Sequence, residues 1–193
     1  MATLTIYTDA GDAFAYTNNN AFYGTTNQLY IGNASSSNYP CRACIPIKNV
    51  TIAQGTQITS ATLKGYARNN RSGGTINYYV GCEDADNPTT PTSGSSLNGR
   101  AITTAKLSIS SSASWTAGAL KTFDITTSVQ EVLDRSGFAS GNQINVLIHD
   151  NGSTINYIRD ISSYESRATY TEPCLEIIYP DVVTFIPHCL NII

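Results

Sequence analysis

"INVLIHDNGSTINYIRDI", residues 144–161, is the stretch on which the fold turns. Two runs rich in β-branched and aromatic residues, 144–150 and 154–161, flank Asn151, Gly152 and Ser153. An Asn-Gly step between two such runs is a strong hairpin signal, because both central residues of the tight turn take positive φ. The spacing predicts one antiparallel hairpin over residues 142–161.

Working outward, the same signature recurs at "TLTIYT" (3–8), "QLYIGN" (28–33), "CRACIPI" (41–47), "ITSATLKGYA" (58–67), "TINYYVGC" (75–82) and "CLEIIY" (174–179). Each run is short and bounded by turn residues. One helical pattern stands among them, "DITTSVQEVLDRSG" (124–137). Ser128 and Glu131 have capping-box spacing, Val129, Val132 and Leu133 form an apolar stripe, and Gly137 can end it. Residues 84–114, rich in Pro, Gly, Ser and Thr, read as a long surface loop with one short strand at 105–109. Many short strands and a single helix predict an all-β fold, an antiparallel, jelly-roll-like β-sandwich with one short helix and a C-terminal strand extension. The sandwich is expected over 1–179 and the extension over 180–193.

Composition narrows the function classes. Charged residues are 13% and hydrophobic residues 41% of the 193, which is the balance of a folded chain. Eleven Lys and Arg scattered singly, with a net charge of -3, give no basic stripe, so no nucleic-acid partner is expected. No run approaches the roughly 20 apolar residues of a spanning helix, and no secretory signal is read at the N-terminus, so no membrane partner is expected either. Five cysteines, Cys41, Cys44, Cys82, Cys174 and Cys189, allow at most two intrachain disulfides; otherwise they are buried thiols. "CRAC" has no second close pair, which a zinc ribbon requires, so no zinc site is expected.

From Ile58 onward a set of features falls in order: Ile58, Ser60, Ala61 and Leu63; Trp115; Phe123, Asp124, Ile125, Thr126, Val129 and Gln130; and Pro173, Leu175, Ile177 and Tyr179. In these residues the chain resembles the DNRLRE-type β-sandwich family, which is related to carbohydrate-binding modules. "YIRDISSYESR" (157–167) lies near the place of that family's name-giving motif. The resemblance implies a sandwich of the kind found in secreted surface proteins and phage structural proteins, and a scaffold or adhesive role more readily than an enzymatic one.

The candidate chemistry is sparse. His149 beside Asp150 lacks a nucleophile motif, "SGSS" near Ser95 being only superficially similar to one, and His188 reads as a packed imidazole. The carboxylates Glu83, Asp84 and Asp86, or Glu131 and Asp134, are what a glycosidase would need, but they fall in a turn and on a solvated helix face. No catalytic residues and no cofactor are expected. "DAGD" (9–12) and "DADN" (84–87) could each hold a structural calcium ion through alternating oxygens, although turn chemistry explains both equally. Phe14, Tyr16, Phe22, Tyr23 and Tyr30, interleaved with Asn and Thr, have the composition of a sugar-stacking or protein-contact surface. Asn33, Asn49, Asn70 and Asn151 head N-x-[ST] sequons.

The C-terminal "YPDVVTFIPHCLNII" (179–193) poses the functional question. Val182, Val183, Phe185, Ile186, Leu190, Ile192 and Ile193 form an apolar segment that needs covering. It either folds back onto its own sandwich or adds as a strand to the edge of a neighbouring copy, with Cys189 then free to bond that neighbour. The expected function is a non-enzymatic structural subunit of an extracellular assembly. That assembly is either a self-polymerising surface fibre or a phage virion decoration or fibre protein, and the partners are identical subunits or other virion proteins. A carbohydrate-binding module, with glycans as partners, is the alternative.

Overall fold

The computed structural model describes residues 1–181; the apolar segment 182–193, with Val182, Val183, Phe185, Ile186, His188, Cys189, Leu190, Ile192 and Ile193, lies outside the described residues. In chain order the elements are β1 (Ala2–Tyr7), β2 (Ala13–Tyr16), β3 (Phe22–Tyr23), β4 (Gln28–Asn33), β5 (Cys41–Ile47), β6 (Ser60–Tyr66) and β7 (Ile76–Cys82). There follow α1 (Gly94–Asn98), β8 (Leu107–Ser111), β9 (Leu120–Asp124), α2 (Thr126–Leu133), β10 (Ile144–Asp150), β11 (Tyr157–Ser162), a 3-10 turn (Tyr164–Ser166) and β12 (Cys174–Tyr179).

All strand pairs are antiparallel. One sheet has the order β1-β12-β6-β9, the other β3-β2-β5-β10-β7-β8, and β4 pairs with β11 in a separate ribbon. The all-β, sandwich-like expectation therefore holds. Alternation explains the layering: Ala61 and Leu63 of β6, Leu175 and Ile177 of β12 and Phe123 of β9 are buried facing Ile45, Ile47, Val80, Val146 and Ile148 of the larger sheet. Ala67 bridges Ile161, which ties the ribbon to the end of the smaller sheet.

The predicted hairpin over 142–161 is corrected. β10 is buried on both faces and sits between β5 and β7, so it has no free edge left for β11. Residues 151–156 instead carry the chain from one layer to the other, with positive φ at Gly152 (79°) and Asn156 (67°) rather than at an Asn-Gly pair. The Asp150 carboxylate accepts from the Gly152 and Ser153 amides and so turns the chain out of the sheet.

The loop over 84–114 is likewise more built than its composition suggests. Ser93 caps α1, whose Leu97 is fully buried with Ala15, Cys44 and Leu147 on the outer face of the larger sheet. β8 begins two residues later than the predicted strand. The capping box is also corrected: Ile125 occupies the N-cap of α2, while Ser128 and Glu131 lie inside the helix and turn outward from its axis. Ser128 Oγ accepts from the Cys82 amide and pairs with Thr103 Oγ1, and the Glu131 carboxylate accepts from the Thr104 and Ala105 amides. The helix therefore pins the loop rather than capping itself.

Candidate functional site

The outer face of the smaller sheet carries the most site-like relief. Alternation on β1 exposes Thr5 and Tyr7; register then sets Cys174 and Glu176 of β12 and Lys64 and Tyr66 of β6 beside them, with Leu120 of β9 at the far side. Together with Thr171 and Glu172 these residues enclose a depression of about 350 Å³. Tyr7 is 50% and Leu120 49% exposed, an uncommon apolar offering on one sheet face. The Lys64 Nζ to Glu176 Oε1 pair (2.8 Å) spans its floor, and Tyr170 stacks on Tyr66 with centroids 6.3 Å apart. A larger hollow near Thr127, Gln130, Glu131, Asp134 and Arg135 is walled by α2 alone and encloses nothing.

The sheet edges are the second feature. β1 and β9 border the smaller sheet, and β3 and β8 the larger. β1, "ATLTIY", and β8, "LSISS", contain no Lys, Pro or bulge glycine, the devices that usually blunt an edge. Leu4 and Ile6 of β1 are only partly buried against the core.

The predicted aromatic surface is partly consumed by self-packing. Phe14 is buried, stacked on Tyr23 at 4.6 Å and tilted against Tyr30 at 4.7 Å, while Tyr16 packs edge-on to Tyr23 and against Tyr39. Phe22 turns away to the small cluster under α1. These rings present rims rather than open faces.

The candidate catalytic groups do not converge. Glu83 pairs with Arg100, Asp84 and Asp86 both hold Arg135, and Asp134 accepts from Gln130. Asn87 accepts from the Gln143 amide, so "DADN" is closed by protein groups. His149 is buried; Arg42 Nη2 donates to its Nδ1 at 3.0 Å. Burial first, then Arg42 and Lys106, push its pKa down to about 3, which keeps it neutral and unable to serve as a base near pH 7. Arg42 also donates to the Leu97, Asn98 and Arg100 carbonyls and so closes the C-terminal end of α1.

Cys41, Cys44, Cys82 and Cys174 are free and buried. Cys41 and Cys44 lie on one strand with opposite facings, so "CRAC" cannot close on itself. Burial raises all four thiols above their ordinary pKa, Cys82 to about 12. Asn49, Asn70 and Asn151 are exposed, but Asn33 is 3% exposed and donates to Asn38, so its sequon is closed to a glycan in the folded chain.

Sequence reasoning missed a buried polar centre inside "YIRDISSYESR". Arg159 is 1% exposed and donates to the carbonyls of Gly73, Ala113 and Ile158; Asp160 is fully buried and accepts from Arg71 and Asn69. These bonds fasten the β4–β11 ribbon to loops far away in sequence. Alternation in the strand gave no hint of it, since charged residues in a strand are ordinarily read as outward.

No helix among the described residues is long and apolar enough to cross a membrane. No family model matches the chain, and no curated protein matches it.

Proposed function

We propose that this chain is a non-enzymatic structural subunit of an extracellular assembly, a self-polymerising fibre or a virion decoration or fibre protein, whose copies are joined by strand donation. The observation that carries this reading is the pairing of an unblunted edge with an apolar segment. β1 offers Ala2–Tyr7 without charge or proline, while every strand of the core ends by Tyr179, ahead of the apolar residues 182–193. A strand added beside β1 would cover Leu4 and Ile6 and satisfy the outward backbone groups of the edge. The resemblance to DNRLRE-type sandwiches points the same way. Four unpaired buried thiols fit folding in a reducing cytosol, which favours the virion version.

Sedimentation and negative-stain imaging of the full chain beside one stopped after Pro180 test the proposal. Polymers or rings from the full chain and monomers from the shortened one are expected. Folded monomers from both would overturn it.

The depression bounded by Tyr7, Tyr66, Lys64 and Glu176 supports a second reading, carbohydrate binding, in which a sugar ring lies on tyrosine and its hydroxyls meet the ion pair. Glycan-array binding that is lost in Tyr7→Ala would favour it.

A further inference from the structure

Asp12 is an anomaly that neither reading explains. It immediately precedes β2, is 1% exposed, and accepts from the Tyr164 amide at 2.9 Å through Oδ2, yet its other oxygen, Oδ1, meets no donor. Its carboxyl group lies within hydrogen-bonding reach of the Glu165 carboxyl in the 3-10 turn, and Asp9 adds charge from the other side. Glu165 Oε2 and Asp9 Oδ1 are also buried without a donor. Three buried acceptor oxygens on three acidic side chains thus gather where the β1–β2 turn meets the 3-10 turn. A buried carboxylate oxygen left bare is costly and calls for a partner.

One proton can bridge two of these oxygens and leaves the third bare. A hard divalent cation meets all three at once. Lys48 Nζ, 2.7 Å from Asp9 Oδ2, offsets one of the three negative charges, so a doubly charged ion brings the site to neutrality. The Asp9–Asp12 turn is tight, with the Gly11 amide donating to the Asp9 carbonyl at 2.6 Å, so Asp9 and Asp12 reach the same space.

We infer that Asp9, Asp12 and Glu165 form a binding site for one calcium-class cation, which fastens the β1–β2 turn to the 3-10 turn after β11. The ion takes Asp9 Oδ1, Asp12 Oδ1 and Glu165 Oε2, and water fills the rest of the six to eight oxygen positions that calcium requires. No three carboxylate, thiol or imidazole groups are already gathered at metal-ligand spacing among the described residues. Asp9, nearly half exposed and paired outward with Lys48, is the ligand that closes on binding. Burial, and then the neighbouring Glu165 and Asp9, raise the Asp12 carboxyl to about 8, as expected of a site that lacks its positive partner. The site does not depend on strand donation.

The experiment uses the full chain, stripped with chelator and held at pH 7.5. Terbium is titrated while tyrosine is excited, since Tyr164 adjoins the site, and thermal unfolding is followed with and without calcium. The expected result is saturable terbium emission that calcium displaces. A rise in Tm of roughly 5–10 °C is expected with free calcium near one hundred times its Kd. Both responses should vanish in Asp12→Asn and in Glu165→Gln. In each variant the amide can donate to the facing carboxylate, so the metal-free Tm should equal or exceed that of the parent. Absence of both responses in the parent overturns the inference and leaves a proton shared between Asp12 and Glu165. Responses that persist in both variants overturn it as well, because the ion then sits elsewhere.

Discussion

Replacing Asp160 by Asn tests whether the buried polar centre holds the ribbon in place. Asp160 Oδ1 accepts from the Asn69 amide at 3.0 Å, and Oδ2 accepts from Asn69 Nδ2 at 3.0 Å and from Arg71 Nε and Nη2 at 2.8 and 2.6 Å. An amide in place of the carboxylate keeps one acceptor and turns an NH2 toward donors. Breaking a buried ion pair by removing one partner costs about 3–5 kcal/mol. Here the Arg71 side chain is 30% exposed and can recover water, so the cost should fall to about 2–3 kcal/mol. In a domain of this length that lowers Tm by roughly 4–12 °C. Arg71→Met should cost more, because it strands a carboxylate that has no access to solvent, and the double variant should cost less than the sum. Urea unfolding followed by Trp115 fluorescence gives the free energies; Trp115 is buried and its backbone pairs with that of Arg71, so it reports on this region. A loss under about 0.5 kcal/mol for Asp160→Asn, or strict additivity in the cycle, would refute the reasoning.

Two further outcomes are expected. His149 has a folded pKa near 3 against an ordinary value of 6.5, so the unfolded chain takes up its proton first. Its contribution is intact above pH 6.5 and declines as pH falls toward 3. By pH 5 the loss is about 2 kcal/mol, and it should disappear from the difference between the parent and His149→Gln in urea titrations run at both pH values. Ser128→Ala removes a hydroxyl that accepts from the Cys82 amide and pairs with Thr103, and should cost about 1–3 kcal/mol. A helix-capping role would instead show as a loss of helical circular dichroism with the loop unaffected, which hydrogen exchange at Cys82 distinguishes.

Strands with one wet face were legible in the sequence. β4, β5, β10 and β12 fall on the residues that their runs of β-branched and aromatic side chains mark out, and β6 and β12 show the alternation plainly. What could not be read was pairing. Ile144–Asp150 followed by Asn-Gly looks local, but a strand buried on both faces needs two neighbours, and here these come from 41–47 and 76–82. β2 and β3 escaped notice because four- and two-residue strands carry too little pattern, and "AFAY" is buried at consecutive positions. The placement of Arg159 depends on carbonyls supplied from 73 and 113, and that of Asp12 on a turn some 150 residues away, so neither is written in local sequence. The outer-face depression was half legible: "TLTIYT" marks Tyr7 as outward, but only register brings Lys64, Tyr66 and Leu120 beside it.

The amine of Met1 donates to the Asp181 carboxylate, which sets the beginning of β1 beside the end of β12. Tension applied between these two points would peel β1 from β12 one rung at a time, because their hydrogen bonds lie across the line of pull in sequence rather than sharing the load. Tension entering at Asp181 and leaving at the opposite end of the sandwich would instead slide β12 lengthwise between β1 and β6, straining both ladders together. A subunit linked to its neighbour through residues after 181 is thus mechanically weak or strong according to where the next attachment lies, and an anchor remote from Met1 makes the same fold a tether that yields late.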